Sequence, residues 1–523
     1  MSTGKMIARA ALVVAVINLL SRILGFVREL AIAYMFGATA VTDAYVVAFN
    51  IPNAVFAIVI GALAVVVVPV FSEYVAKGQK DEAWRLFNTV ITMVIVVFSV
   101  LTVVGFFAAP LLVKLTAPGL PADTATLAIR LTVIMLPILI FYGLATVFQG
   151  LLNANQVFAI PALSTSVTNL VIIISALTLG GWYGVEGLAV GTVGGFVLAA
   201  LIQVPKLRQQ GFRFKFSTDW RHPGVRKVMY LVGPVAIGTS LNQIYLIIDR
   251  ILASGLAEGS ISALNFANRL ILMPIGFFVL AVGTAFYPSI TKMAAESKYE
   301  ELAKTVRGAF RVVTLFALPA GVGLLVLAYP IIKLLFERGQ FDARATEMTA
   351  IALLFYSIGL VGQAANIILT RGFYALQDTK TPVKLMGVTV VVNVILSLLF
   401  IGPLKHGGLA LANSLASLLN TVMLSWYLNK RIPGMWDAGI FKFFGQVAAA
   451  SAAMAAGAWG VSYYASGLLA GLGTLGLALQ VGAGIAAGVA IFLVAVFTLK
   501  MEETVLVSTY ANKLLKRLGP SRG

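Results

Sequence analysis

The stretch Ser21-Arg22-Ile23-Leu24-Gly25-Phe26-Val27-Arg28-Glu29 decides how this chain is read. It lies inside an apolar run from residue 7 to residue 36, long enough to cross a bilayer as a helix. A charge at membrane depth costs about 2.5–3.5 kcal/mol on insertion scales. Arginines in such a run therefore face a bundle interior or a wet cavity, and they mark a substrate path. Arg22 and Arg28 are one and a half turns apart, and two permanent positive charges suit an anion. The run reads as the first helix of a membrane transporter with a negatively charged cargo.

Composition supports a membrane setting. Of 523 residues, 60% are hydrophobic and only 11% charged, with a mean hydropathy of +0.96. A soluble domain carries about 25% charged residues, so the chain is a polytopic membrane protein. The net charge of +18 does not point to nucleic acid, because the cations sit in short loops between apolar runs. The absence of cysteine excludes disulfides, thiolate metal sites and a cysteine nucleophile. Two histidines, His222 and His406, leave no His-based metal cluster or catalytic triad. No Gly-x-x-x-x-Gly-Lys-[Ser/Thr] motif is present, so ATP is not the expected driver. The N-terminus has Lys5 and Arg9 before an apolar stretch at 10–20, but it lacks a small-x-small cleavage site. It is expected to stay as an uncleaved first helix.

Apolar runs near 7–36, 44–72, 86–113, 127–152, 160–180, 185–205 and 228–253 are each long enough to span. Seven more lie near 264–290, 308–336, 346–371, 383–402, 408–429, 440–466 and 469–499, which predicts about fourteen transmembrane helices. Alternate connections are basic: Lys77, Lys80 and Arg85; seven cations from Lys206 to Lys227; Lys292 to Arg311; Arg371 to Lys384; Lys430 and Arg431. By the positive-inside rule both termini of this multi-pass chain are expected in the cytoplasm. The loop at 206–227 carries Phe212-Arg213-Phe214-Lys215-Phe216. It reads as a topology-setting loop with snorkelling side chains, the other reading being a lipid headgroup reader.

The chain repeats itself. Gly150, Pro161, Asn169 and Gly187-Leu188-Ala189 are echoed by Gly372, Pro382, Asn393 and Gly408-Leu409-Ala410, and the interval from Pro161 to Gly187 equals that from Pro382 to Gly408. A six-helix unit duplicated in parallel predicts an N-lobe at 1–215 and a C-lobe at 216–432, the architecture of alternating access. Two further helices at 433–500, rich in glycine and alanine (Gly484 and Gly488 among them), and a basic tail at 501–523 lie outside the duplication.

Candidate substrate residues are Arg22, Arg28, Arg269, Asp43 and Asn50. The three arginines are read as buried and unpaired, so that alanine in their place should leave the fold intact. Asp43 opens the second helix, either as an interfacial or cap-like carboxylate or as a gating partner for an arginine. Arg269 stands one turn inside its helix. Asn393 and Ser397, at i and i+4, share a face and could ligate a cation together with Asp249, although hydrogen bonding between helices is the commoner role of such residues. Pro52, Pro69, Pro137, Pro274 and Pro288 are expected to kink their helices.

Several stretches carry a resemblance: Ser21 to Glu29, Thr42-Asp43-Ala44-Tyr45 with Ile51-Pro52-Asn53, Ala267-Asn268-Arg269-Leu270, and above all Gly372-Phe373-Tyr374-Ala375-Leu376-Gln377-Asp378-Thr379-Lys380-Thr381-Pro382-Val383-Lys384. The chain resembles the MurJ (MviN) family within the multidrug/oligosaccharidyl-lipid/polysaccharide exporter superfamily, over nearly its whole length. The resemblance implies flipping of lipid II for peptidoglycan synthesis in a bacterial inner (plasma) membrane, no enzymatic activity, and cavity arginines that hold the lipid-linked diphosphate. It also implies a groove beside the last two helices for the lipid tail. Lipid II and membrane lipids are then the partners, with other cell-wall synthesis proteins beside them. No cofactor is expected, and Na+, H+ or the membrane potential would drive transport. Where many relatives carry charges in the second helix, this chain has Phe56, Ala57 and Ile60. Two alternatives stand beside this reading: a flippase for another polyprenyl-linked glycan, or a cation-coupled multidrug exporter. A drug exporter would favour acids in its cavity. A membrane enzyme such as a glycan polymerase would need a catalytic acid and a large outer loop, and neither is visible.

Overall fold

The computed structural model describes residues 3–501, with side chains described except at 3–12, 58–66, 68, 233–242, 244–245 and 438. All but Met501 of the expected basic tail lies outside the described residues. Every regular element among the described residues is helical, the solution that satisfies backbone polar groups where no water is available.

The chain forms two compact units: Met1–Ser262 with Phe336–Ala345, and Ala263–Leu335 with Thr346–Gly523. The first holds α1 (Thr3–Phe36), α2 (Ala40–Ala76), α3 (Lys80–Thr116), α4 (Ala122–Met135), α5 (Ile138–Ala154), α6 (Ala159–Leu177), α7 (Leu179–Leu201), α8 (Val204–Gln209) and α9 (Pro223–Ser254). The second is built from α10 (Ser260–Pro274), a π-turn at Ile275–Val279, α11 (Leu280–Ala295), α12 (Tyr299–Val326), α13 (Ala328–Phe336), α14 (Ala343–Ile358), α15 (Leu360–Ala375), α16 (Lys380–Arg431), α17 (Ala438–Leu468) and α18 (Gly473–Thr498). Of these, residues 260–262 of α10, Phe336 of α13 and residues 343–345 of α14 belong to the first unit. The packing boundary follows Ser262, whereas the repeat boundary expected from the sequence follows residue 215. The two differ because α9, which opens the second copy, packs along α2 and α3. Phe71, Phe87, Phe98, Leu152 and Leu207 lie in the core of the first unit, and Phe310, Leu369, Phe373, Leu428 and Phe443 in that of the second.

Among the described residues nine helices are long and apolar enough to cross a membrane, or up to eleven if each of two bent pairs is one span. The run expected at 127–152 bends by 43° between α4 and α5, and the run at 346–371 by 44° between α14 and α15. At the first bend Pro137 has no N–H to give the helix. At the second, a Cβ on Gly359 would lie 2.5 Å from the Ser414 Cα, so α16 passes against bare backbone.

Backbone singularities recur with the period of the sequence repeat. Gln156 and Gln377 are separated by the same interval as Pro161 and Pro382. Both turn left-handed (φ 60° and 58°) and close their helices in the same way. Val157 N–H donates to Leu152 O at 2.8 Å, and Asp378 N–H to Phe373 O at 3.0 Å, the six-to-one closure of a Schellman end. Gly184 inside α7 (φ 61°, ψ −151°) and Lys405 inside α16 (φ 51°, ψ −131°), again one repeat period apart, each divide one helical element in two. The apolar runs expected at 383–402 and 408–429 are the two parts of α16. Just beyond each bend, a Cβ on Gly187 would sit 2.2 Å from Leu179 O, and one on Gly408 would sit 2.4 Å from Phe400 O. The glycine of Gly-Leu-Ala is thus a steric requirement in both copies.

Candidate substrate site

With about 3.6 residues per turn, Arg22 and Arg28 lie roughly 120° apart around α1. Their surroundings differ accordingly. Arg22 is exposed, which corrects the expectation of two sunken arginines. Arg28 is the half-buried one. Its Nη1 donates to Asn169 Oδ1 at 3.0 Å and its Nη2 to Glu29 Oε1 at 2.5 Å. The side chains are 16% and 4% exposed, which makes this a largely desolvated ion pair. The expectation that Arg28 is unpaired is therefore also corrected. A long guanidinium arm reaches the neighbouring carboxylate although the two Cα–Cβ bonds diverge by a quarter turn. Asn169 on α6 is a residue that sequence reasoning did not place in the site. Its Nδ2 donates to Ser21 O at 3.1 Å while its Oδ1 holds Arg28, so one amide ties α6 to α1 and orients the arginine. The sequence signal was present, since Asn169 is one of the markers of the repeat.

Asp43 is buried and faces no arginine among its hydrogen-bond partners. Its Oδ2 accepts from Gly259 N–H and its Oδ1 from Ser262 N–H, both at 2.7 Å, and Oδ1 also accepts from the Ser262 hydroxyl. A carboxylate at the start of α10 satisfies amides that a helix N-terminus leaves open, and it meets the positive end of the helix dipole. Of the two readings of Asp43, the capping one is realised, on a helix distant in sequence rather than its own. Asn50 turns back on α2, where Nδ2 donates to Val46 O at 2.6 Å. Phe56 stacks on Tyr142 with ring centres 3.3 Å apart.

In the second unit Arg269 is half-buried on α10. Asn393 and Ser397 are both fully buried on α16, and Ser397 Oγ has no hydrogen-bond partner among the described residues. Asp249 is half-buried on α9, in the first unit. Among the described residues no group of three or more His, Asp or Glu side chains is placed to hold a metal. Arg371, which sequence reasoning treated as a loop cation, lies over the Tyr287 ring at 5.7 Å. A Cβ on Gly283 would come within 2.5 Å of its Nη1, so the missing side chain makes room for the guanidinium.

These features define a multi-pass, all-helical membrane protein. A solved structure of lipid II flippase MurJ in an inward closed conformation superposes with a TM-score of 0.78, covering 94% of this chain and all of that one at 24% identity. An inward-facing multidrug resistance MATE family transporter of the MOP superfamily reaches 0.67, covering 80% of this chain and 98% of the other at 16% identity. At such identities the likeness concerns the fold. The chain belongs to the lipid II flippase MurJ family, whose family model matches residues 32–504. Among its relatives, the lipid II flippase MurJ of Burkholderia cenocepacia is 34% identical over 456 residues, 86% of this chain and 88% of that protein.

Proposed function

We propose that this protein is a lipid II flippase that works by alternating access and is not an enzyme. It would carry the undecaprenyl-diphosphate-linked disaccharide-pentapeptide from the cytoplasmic to the outer leaflet of the bacterial inner membrane. The observation that carries this reading is family membership along most of the chain, with a relative named lipid II flippase at 34% identity. The chemistry of α1 supports it. A diphosphate is a bidentate acceptor suited to guanidinium forks, and Arg28 is held in one orientation by Asn169 and Glu29. Arg22, Arg28 and Arg269 each contact the diphosphate in this reading, and the polyprenyl tail lies beside α17 and α18. The basic loops support cytoplasmic termini.

Outward passage of an anion is favoured by an interior-negative potential, by about 2.3 kcal/mol per charge per 100 mV. The membrane potential is therefore the proposed drive, with a Na+ or H+ site near Asn393, Ser397 and Asp249 as its alternative. The test is sole-copy growth of a bacterium depleted of its own flippase, together with lipid II translocation by the purified protein in vesicles at zero and at physiological potential. Growth and potential-dependent translocation are expected. Translocation of a different polyprenyl-linked glycan but not of lipid II would overturn the assignment.

A further inference from the structure

The segment Phe212–Phe216 is not a slack loop. It lies extended along α3, fixed by a ladder of polar contacts. Asn88 Nδ2 donates to Arg213 O at 3.2 Å and Asn88 Oδ1 accepts from Lys215 N–H at 3.0 Å. Ser217 N–H donates to Thr92 Oγ1 at 3.2 Å, and the Ser217 and Thr89 hydroxyls are 2.8 Å apart. Phe212 is the anchor. It is 5% exposed, with its ring 5.4 Å from that of Phe87, 5.9 Å from Trp84 and 6.2 Å from Phe148.

The strap walls a cavity of about 660 Å³ with α3, α5 and α8, within the size range of small-molecule sites. Ile91, Ile95, Leu144, Phe148 and Val204 supply apolar lining, Arg208 and Arg213 stand over it, and among the described residues none that lines it is acidic. Buried Leu207 seats α8 on the unit while Arg208 stays exposed, so the charges are displayed beside grease rather than neutralised. This is the complement of a phosphate joined to a hydrocarbon chain. Among the described residues the lining offers no neutral polar side chain for a sugar, which separates it chemically from a glycan-bearing ligand. The cavity belongs wholly to the first unit and uses none of the arginines assigned to transport.

We propose that this cavity is a binding site for an acidic phospholipid, with the phosphate between Arg208 and Arg213 and the start of an acyl chain over Ile91, Ile95 and Leu144. It would hold a lipid of the surrounding membrane at the basic end of the unit, independently of the transported cargo.

The test uses the full-length protein in nanodiscs containing a photoactivatable phosphatidylglycerol in a phosphatidylcholine background. Cross-links should map to peptides spanning residues 88–95 and 204–216. Removing one basic contact near an anionic lipid is worth about fivefold in affinity, so Arg208→Gln with Arg213→Gln should weaken labelling about thirtyfold. Leu144→Trp, which fills the apolar end and leaves both charges, should also abolish it. Millimolar inorganic phosphate or glycerol phosphate should not compete, whereas unlabelled phosphatidylglycerol should. Labelling elsewhere, labelling indifferent to these substitutions, or equal labelling by photoactivatable phosphatidylcholine would overturn the proposal. Displacement by free phosphate at the same concentrations would also overturn it, leaving an anion site for a soluble compound. The competition and mapping arms use only the wild-type chain, so they decide the matter even if a variant fails to fold.

Discussion

Asp43→Ala would remove the acceptor for Gly259 N–H, Ser262 N–H and the Ser262 hydroxyl at once, in a buried setting. Both hydrogen bonds from the backbone amides are 2.7 Å long and run to a carboxylate acceptor. A bond of that kind contributes about 1.5–3 kcal/mol net. If opening the first turn of α10 no longer requires breaking it, exchange of each amide with solvent should accelerate by about 10- to 150-fold. Asp43→Asn should give a smaller acceleration, because one oxygen remains while its NH2 group opposes a donor. The assay is hydrogen–deuterium exchange of the purified full chain, read on peptides spanning residues 256–264. A peptide spanning 302–310, in the core of the second unit, serves as the reference. Acceleration confined to the first peptide is expected. If its exchange in Asp43→Ala stays within about twofold of wild type, the capping account of this carboxylate is wrong.

Three further outcomes follow from the geometry. Arg28→Ala should lower the thermal midpoint rather than preserve it, since removing one member of a desolvated pair costs about 3–5 kcal/mol; an unchanged or higher midpoint would contradict the pairing with Glu29 and Asn169. Arg22→Ala should abolish lipid II translocation in vesicles while the protein remains folded and inserted, and Arg269→Ala should abolish translocation too, with lysine rescuing poorly for want of a bidentate fork; normal sole-copy growth of both variants would sink the anion-site proposal. Hydrogen bonding and attraction from Lys298 hold the Glu296 carboxyl below its ordinary value of 4.5, so the stabilisation from this pair is present above that value and is lost as pH falls through the depressed one. The difference in thermal midpoint between wild type and Glu296→Gln should therefore be constant from pH 7 to pH 5 and shrink below pH 4.5, and a difference that widens on acidification would refute the sign.

The apolar runs, the basic loops and the period of the duplication were legible in the sequence because each is set by composition or spacing. Bends were legible only where a residue announces them. Pro137 does, but glutamine and lysine are not residue types that announce positive φ, so the left-handed backbone at Gln156, Gln377 and Lys405 was not legible. In the site, the residue types on α1 were readable and their partners were not. Glu29 is adjacent to Arg28 in sequence and points elsewhere on an ideal helix, so only a side chain's reach joins them. The partners of Asp43 lie 216 and 219 residues away, and capping across such a distance leaves no trace in local spacing. Asn169 was visible as a repeat marker, yet its role depends on which face of α6 meets α1.

The matched bends at Gly184 and Lys405 show which features of a duplicated gene resist drift. In one copy the bend falls on glycine, which adopts positive φ freely, and in the other on an exposed lysine that must be held there at a cost of about 1–3 kcal/mol. Three residues further on, both copies keep the glycine whose missing side chain admits a carbonyl oxygen. A torsional penalty can be absorbed by the surrounding contacts and traded between generations of substitutions, whereas two atoms cannot share one volume. Ancestry in this chain is therefore recorded more faithfully at its points of closest approach than at its turns, and alignments of the two halves should be anchored on Gly187 and Gly408.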